Sequence, residues 1–218
     1  MNADLAIVIP AFNEAATIGG VVGALTTTGR VIVVDDGSAD GTAQVAARAG
    51  AEVVRHAANR GYDGALDSGF ARAAELGCRY VVTLDADGQH PAEMVETFAA
   101  ALRDGADLVL GVRDRLQRLA ERVFALATRF GYGIRDPLCG MKGYRIELYR
   151  SLGHFDRYDS IGTELMLHAV RGGAKMVQIP LITRERADAP RFGRLLKANW
   201  RILRAAFLGL VARRPAQP

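Results

Sequence analysis

Cysteine is scarce in this chain of 218 residues: Cys78 and Cys139 are the only two. Neither belongs to a Cys-x-x-Cys or Cys/His cluster, which speaks against structural zinc and against a disulfide framework, so a reducing compartment is expected. Long apolar runs are missing as well, and none approaches the roughly 20 residues that span a bilayer. The N-terminal MNADLAIVIP carries no basic segment ahead of its apolar run, so neither a transmembrane protein nor an ordinary secreted one is expected. Phosphate-binding loops are absent: no GxGxxG follows the first apolar run and no GxxxxGK[ST] occurs, so a Rossmann dehydrogenase and a P-loop NTPase lack their necessary pieces. Lysine is almost missing, since 25 of the 28 basic residues are arginine, and no nucleic-acid recognition motif accompanies them.

What is present is an ordinary globular mixture, with 50% hydrophobic and 24% charged residues, so disorder is a poor reading. The net charge of +4 is unevenly spread: residues 184–218 hold nine Lys/Arg and two Asp/Glu, or +7, which leaves −3 for residues 1–183. Short β-branched runs at 5–9, 30–34, 52–55, 80–84 and 107–110 read as buried strands. Helical apolar spacing separates them at 14–25, 41–49, 64–76 and 91–102. Such alternation predicts an α/β fold, a mainly parallel sheet with helices on both faces, with ligands bound beyond the carboxyl ends of the strands. Gly19, Gly20 and Gly23, inside the first helical pattern, read as close helix packing.

Further on, 113–131 is a basic amphipathic helix, with apolar Leu116, Leu119, Ala120, Val123, Phe124, Ala127 and Phe130 among Arg115, Arg118, Arg122 and Arg129. Segments 140–145 and 175–183 read as strands flanking a helix at 163–170. A last helical pattern covers 195–211, with Lys197, Arg201 and Arg204 opposite Leu196, Leu203, Phe207 and Leu210. With neither repeat nor linker, the chain reads as one domain, 1–190, with an amphipathic appendage, 191–218.

Acidic and glycine-rich turns stand at the expected strand ends. Asp85-Ala86-Asp87 places two carboxylates one residue apart where both can reach one hard cation, and Gln89 adds a neutral oxygen. Mg²⁺ takes one or two carboxylates together with phosphate oxygens and waters, so the set suits a metal that arrives on a diphosphate. A solvated acidic turn is the competing reading, and context decides between them.

That context is a series in fixed order: Val8-Ile-Pro-Ala-Phe-Asn-Glu14, Val34-Asp-Asp-Gly-Ser-Ala-Asp-Gly-Thr42, Asn59-Arg-Gly61, Leu84-Asp-Ala-Asp-Gly-Gln-His-Pro91, Gly111-Val-Arg113 and Asp136-Pro-Leu-Cys-Gly140. The series resembles family-2 inverting glycosyltransferases of GT-A fold, above all the polyprenyl-phosphate branch typified by dolichyl-phosphate mannose synthase. The resemblance covers about residues 5–183. It implies that Pro10, Phe12, Glu14 and Asp36 hold the nucleotide's base and ribose. It also implies that Asp85, Asp87 and Gln89 hold Mg²⁺ or Mn²⁺ against the diphosphate, with Ala86 beside the donor, and that Arg113 contacts phosphate. Arg184 and Arg191 stand where the family often has a Ser-Lys loop that closes on the donor, a departure from its pattern. The donor would be a nucleotide sugar, with GDP-mannose, UDP-glucose and UDP-GlcNAc equally compatible, and the acceptor a polyprenyl phosphate. No nucleic acid is expected as a partner.

Asp35 and Asp40 read as turn or N-cap residues. His90 is either a turn residue or a base, and Asp136 either catalytic or the start of an Asp-Pro turn. His56, His154 and His168 show no partner pattern. A phosphomonoester with a second pKa of about 6 is largely a dianion at neutral pH, so its attack needs cations such as Arg113, Arg129, Arg135, Arg184, Arg186 and Arg191 more than a base. A hydroxyl acceptor would need a base such as Asp136, and a non-catalytic nucleotide-sugar-binding protein is the reading from another class. Each basic amphipathic segment could pack on the core or lie on an anionic membrane. The latter reading places the protein in the cytoplasm, peripherally on the cytoplasmic face of the membrane.

Overall fold

The structure, a computed structural model, describes residues 2–115, 119–157, 160, 162–182 and 204. One sheet holds β1 (Asn2–Ala11), β2 (Gly29–Asp35), β3 (Glu52–Arg55), β4 (Tyr80–Thr83), β5 (Leu108–Arg113), β6 (Lys142–Arg145) and β7 (Met176–Leu181), in the order β3-β2-β1-β4-β6-β5-β7. Around it lie α1 (Ile18–Gly23), α2 (Thr42–Arg48), α3 (Gly61–Glu75), α4 (Met94–Arg103), α5 (Leu119–Tyr132), α6 (Ile146–Leu152) and α7 (Glu164–Arg171). The mainly parallel sheet covered on both faces, expected from the alternation of patterns, is the observed architecture.

The two-residue period of β1 feeds both faces. Leu5, Ile7 and Ile9 enter one core with Ile18 and Val22 of α1 and Phe98 and Leu102 of α4, while Ala6 and Val8 enter the other with Leu66 and Phe70 of α3. Each fully buried side chain of this size contributes about 1.5–3 kcal/mol, so burial on both faces, and not strand propensity, fixes β1 in the interior of the sheet between β2 and β4. A Cβ at Gly69 would overlap Val8, and α3 therefore lies on the sheet at a distance that glycine alone permits.

β6 is the exception in direction, running antiparallel to β4 and β5. Its reversal has a functional consequence. In a parallel strand the segment that follows reaches the carboxyl edge; in β6 it is the segment that precedes, residues 136–141. The Thr83 hydroxyl donates to the Gly140 carbonyl at 2.7 Å and accepts from the Lys142 amide at 3.1 Å, fixing that segment beside the end of β4.

Several sequence expectations need adjustment. The helix expected from residue 14 begins at Ile18, because the backbone from 12 to 17 is used in a turn in which Asn13 takes a left-handed φ of 53°. Helix α3 begins at Gly61, not at 64. Helix α6 was not expected; it follows β6 directly, with Arg145 as its N-cap, so no turn signal announces it. Of the three glycines in the α1 pattern only Gly19 is closely packed, against Val45 of α2, while nothing lies within 4 Å of a Cβ at Gly20 or Gly23. The appendage at 191–218, and with it Arg191 and the helix expected at 195–211, falls outside the described residues except for Arg204. Arg184 and Arg186 fall outside them as well.

Candidate functional site

The loops after β1 and β2 are laced together by side chains. The Asn13 amide donates to Ser38 Oγ at 2.8 Å, the Glu14 amide to Thr42 Oγ1 at 2.8 Å, and the Ala39 amide to Asn13 Oδ1 at 3.0 Å. Asp40 accepts from the amides of Thr42 and Ala15, and Asp35 accepts from the Ser38 amide while pairing with Arg55 at 3.2 Å, so both have the turn roles expected of them. This frame carries Phe12 at the edge of the sheet, 41% exposed. Glu14 is half-buried and accepts from the Thr17 hydroxyl at 3.2 Å. Pro10 sits in register with Val34 at the end of β1.

Asp36 is buried, and both of its oxygens are engaged. Oδ1 accepts from the Arg60 amide and Oδ2 from the Gly61 amide, each at 2.8 Å, while His56 Nδ1 lies 2.7 Å from Oδ1. A carboxylate there supplies acceptors to amides at the start of α3 that have no helical partner and favours the positive end of the helix. His56 Nε2 in turn lies 2.9 Å from Ser68 Oγ. His56 thus has partners that no sequence spacing announced, because they come from the loop after β2 and from the middle of α3. His154 pairs with Glu164 at 2.9 Å and His168 with Ser151 at 3.1 Å.

Asp85 leaves the end of β4 with its carboxylate against Gly140, where a Cβ would overlap it. The Tyr62 hydroxyl donates to Oδ1 at 3.3 Å and His90 Nε2 lies 3.2 Å from Oδ2. Burial, the largest influence, pushes its ionisation up; the hydrogen bond and charge of His90, the Tyr62 bond and the Arg113 charge outweigh that and hold it below the usual carboxylate range. Asp85 is therefore an anion at neutral pH. Asp87 Oδ1 accepts from the Gln89 amide at 3.0 Å, which orders the Asp87-Gly-Gln89 turn around Gly88 at a φ of 74°. Ala86 turns its methyl into the core and has its backbone to offer a ligand. Among the described residues no three His, Cys, Asp or Glu side chains converge to hold a metal by themselves. Two carboxylates and an amide oxygen nevertheless fit a hard cation whose coordination is completed by diphosphate oxygens and water.

Arg113 closes the site at the end of β5. Its Nε donates to Asp136 Oδ2 at 2.7 Å and its Nη2 to Asp136 Oδ1 at 2.9 Å, and Nη2 also reaches Glu121 of α5 at 3.4 Å. Burial alone would lower its ionisation, but the bond to Asp136 and the charges of Asp136, Cys139 and Glu121 raise it, so the guanidinium is permanently charged. Asp136 is 1% exposed and is spent on this fork. Glu121 was missed by the sequence reading, although a signal existed: 121, 124, 125 and 128 form one stripe at helical spacing, and a carboxylate on a buried stripe requires a partner.

On its other side α5 exposes Leu119, Val123, Leu126 and Phe130, from 48% for Val123 to 84% for Phe130, and Arg122 and Arg129 are exposed beside them. The helix expected to have one apolar face has two. One carries Ala120, Glu121, Phe124 and Ala125 into the protein, where Glu121 meets Arg113, and the other lies open on the opposite side of the helix.

Residues 6–153 match the family model described as glycosyl transferase family 2. A dolichyl-phosphate hexose transferase of Haloferax volcanii is 31% identical over 197 residues, covering 84% of each chain. A polyprenol monophosphomannose synthase of Mycolicibacterium smegmatis is 28% identical over 205 residues, 83% of this chain and 77% of the relative. Among solved structures, glucosyl-3-phosphoglycerate synthase from Mycobacterium tuberculosis, in complex with Mn²⁺ and UDP-glucose, matches 97% of this chain and 80% of its own with a TM-score of 0.77 and 26% identity.

Proposed function

The chain belongs to glycosyl transferase family 2, with a GT-A fold, and from that premise we propose that it transfers a hexosyl group from a nucleotide-diphosphate sugar to a polyprenyl phosphate at a membrane surface. The observation that carries the choice of acceptor is the open apolar stripe of α5, a helix whose opposite face meets Arg113 through Glu121: Leu119, Val123, Leu126 and Phe130 would enter the membrane surface and hold the strand ends near a lipid phosphate headgroup. No helix among the described residues is long and apolar enough to cross a membrane. In this reading residues 1–190 form the catalytic domain, and 191–218, with its share of the +7 charge, adds attraction to anionic lipid.

Phe12 stacks on the base and Glu14 accepts from the ribose hydroxyls, on a frame that Pro10 and the capped Asp36 hold rigid. Asp85, Asp87 and Gln89 would hold Mg²⁺ or Mn²⁺, which supplies neutralisation of the charge that grows on the departing nucleoside diphosphate. A phosphate oxygen of the acceptor forms its bond to the anomeric carbon from the face opposite the leaving group, while the bond from that carbon to the donor's β-phosphate oxygen breaks and the diphosphate keeps the electron pair. No proton has to be removed, which suits a site where Asp136 is already committed to Arg113. Arg113, fixed from behind by Asp136 and Glu121, faces the incoming phosphate. Arg184 and Arg191 are proposed to bind the donor.

Purified protein offered Mn²⁺ and each of GDP-mannose, UDP-glucose and UDP-GlcNAc, with polyprenyl phosphate, the corresponding polyprenol or 3-phosphoglycerate as acceptor, tests the reading. Product with the lipid phosphate alone is expected. Transfer to the alcohol or to the soluble phosphate would overturn the acceptor assignment.

A further inference from the structure

We infer that Tyr62 and His90 are positioning residues that clamp the two oxygens of Asp85 and so set the orientation in which it meets the cation. The inference rests on the proposed metal site at Asp85 and Asp87 and names the groups that preorganise it. The Asp85 carboxylate lies close on Gly140, whose missing side chain makes room for it but gives it no hydrogen-bond donor. Two donors provide what packing does not. Tyr62 OH bonds Oδ1 at 3.3 Å and His90 Nε2 bonds Oδ2 at 3.2 Å, so each oxygen has its own donor. Each oxygen keeps a lone pair beyond the one its donor occupies, so the plane of the carboxylate is fixed while it can still bind a cation.

Both donors are themselves held. Tyr62 stands in the first turn of α3, one residue beyond Gly61, whose amide donates to Asp36 at 2.8 Å, so the loop after β2 fixes the backbone from which the tyrosine reaches Asp85. Burial, then the charges of Asp85 and Asp63, push its phenol well above its ordinary value, so the hydroxyl remains a donor. His90 has a side chain only 4% exposed, and its Nδ1 is buried without a hydrogen-bond partner among the described residues. Burying an imidazole with one nitrogen unsatisfied is unfavourable, and the bond that Nε2 makes to Asp85 offsets it. It is the Nε2–H that makes this bond to Asp85.

Partners of this kind behind a metal ligand commonly change metal affinity by about 10–100-fold when removed. The experiment titrates Mn²⁺ by its free-ion electron paramagnetic resonance signal, with UDP and in parallel GDP in excess, against the wild type, Tyr62→Phe, His90→Leu and His90→Gln. Tyr62→Phe and His90→Leu are expected to bind Mn²⁺ about tenfold more weakly, with melting temperature and metal-free nucleotide affinity unchanged. His90→Gln, whose amide can place a donor where Nε2 stood, should recover most of the loss. Mn²⁺ affinity within about twofold of wild type in both Tyr62→Phe and His90→Leu overturns the inference and leaves the metal site standing. Equal loss of metal-free nucleotide binding also overturns it, since the residues would then be shaping the pocket as a whole. A wild type that binds no Mn²⁺ with either nucleotide overturns the metal site and this inference together.

Discussion

Asp136 grips Arg113 with both carboxylate oxygens, Oδ2 at 2.7 Å from Nε and Oδ1 at 2.9 Å from Nη2, at a position where the aspartate is 1% exposed. A carboxylate held this way is matched to the guanidinium it faces, and loss of its charge would weaken the fork that orients Arg113. The pair is better understood as a brace. It joins β5 to the segment before β6, and through Glu121 it joins both to α5.

Asp136→Asn is therefore expected to lower stability by about 3 kcal/mol, the range for breaking one partner of a buried ion pair. The kcat/KM value should fall with it, while its pH profile keeps the wild-type shape. Thermal melts beside that profile make the check. A variant that melts like the wild type yet loses a thousandfold or more in rate would identify Asp136 as a base.

Asp87→Ala should leave the melting temperature within about 2 °C of wild type, since the residue stands in the turn after β4 and outside both cores. Metal-dependent nucleotide binding should disappear. Calorimetry with UDP or GDP in the presence and absence of Mn²⁺ reads this directly, and unchanged metal-dependent affinity in the folded variant removes the carboxylate from the metal site.

Cys139 makes a prediction in alkali. Burial, then the charge of Asp136, pushes its thiol up from 9.0 to about 12. Below about pH 9 the thiol is protonated in both folded and unfolded chains and contributes no pH dependence. Above it the unfolded chain ionises first, so stability is lost from about 9 up to about 12. Wild type should lose ~1.4 kcal/mol more than Cys139→Ala between about pH 8 and about pH 10. Parallel urea denaturation at the two pH values measures the difference, and equal losses would mean that the thiol ionises freely in the native protein.

The strand ends were legible because the apolar runs stop where the acidic turns begin, and the carboxyl edge of a parallel sheet is set by chain direction alone. The direction of β6 was not, since a short run such as Lys142–Arg145 has the same pattern whichever way it lies. That one strand decides which segment enters the site, and so Asp136 could be named from its motif but not given its partner. Tyr62 and His56 escaped for a related reason. Tyr62 reaches Asp85 across 23 residues and His56 reaches Asp36 across 20, and no local spacing encodes either contact. The N-terminal boundary of α3 was misjudged because the acceptor for its first amides, Asp36, belongs to another loop.

The open stripe of α5 carries the acceptor assignment, so it supports the most decisive prediction. Phe130 is 84% and Leu126 57% exposed, and neither belongs to either core. Replacing both with glutamate therefore removes little packing, and the fold should survive with its melting temperature nearly unchanged. A membrane would register the change twice, by lost apolar burial worth up to about 1.5–3 kcal/mol per side chain and by new negative charge beside an anionic surface. Vesicle association of Leu126→Glu/Phe130→Glu should fall at least tenfold, by a rough conversion of that loss, and transfer to long-chain polyprenyl phosphate in vesicles should fall with it. Transfer to a short-chain, water-soluble polyprenyl phosphate should stay within about twofold, because Arg113, Asp85 and Asp87 are untouched. Sedimentation with vesicles containing anionic lipid, together with initial rates on the two acceptors, separates the cases. Equal loss on both acceptors would mean that α5 shapes the site itself, and unchanged vesicle association would show that the membrane is met elsewhere on the molecule and take away the observation on which the lipid acceptor rests.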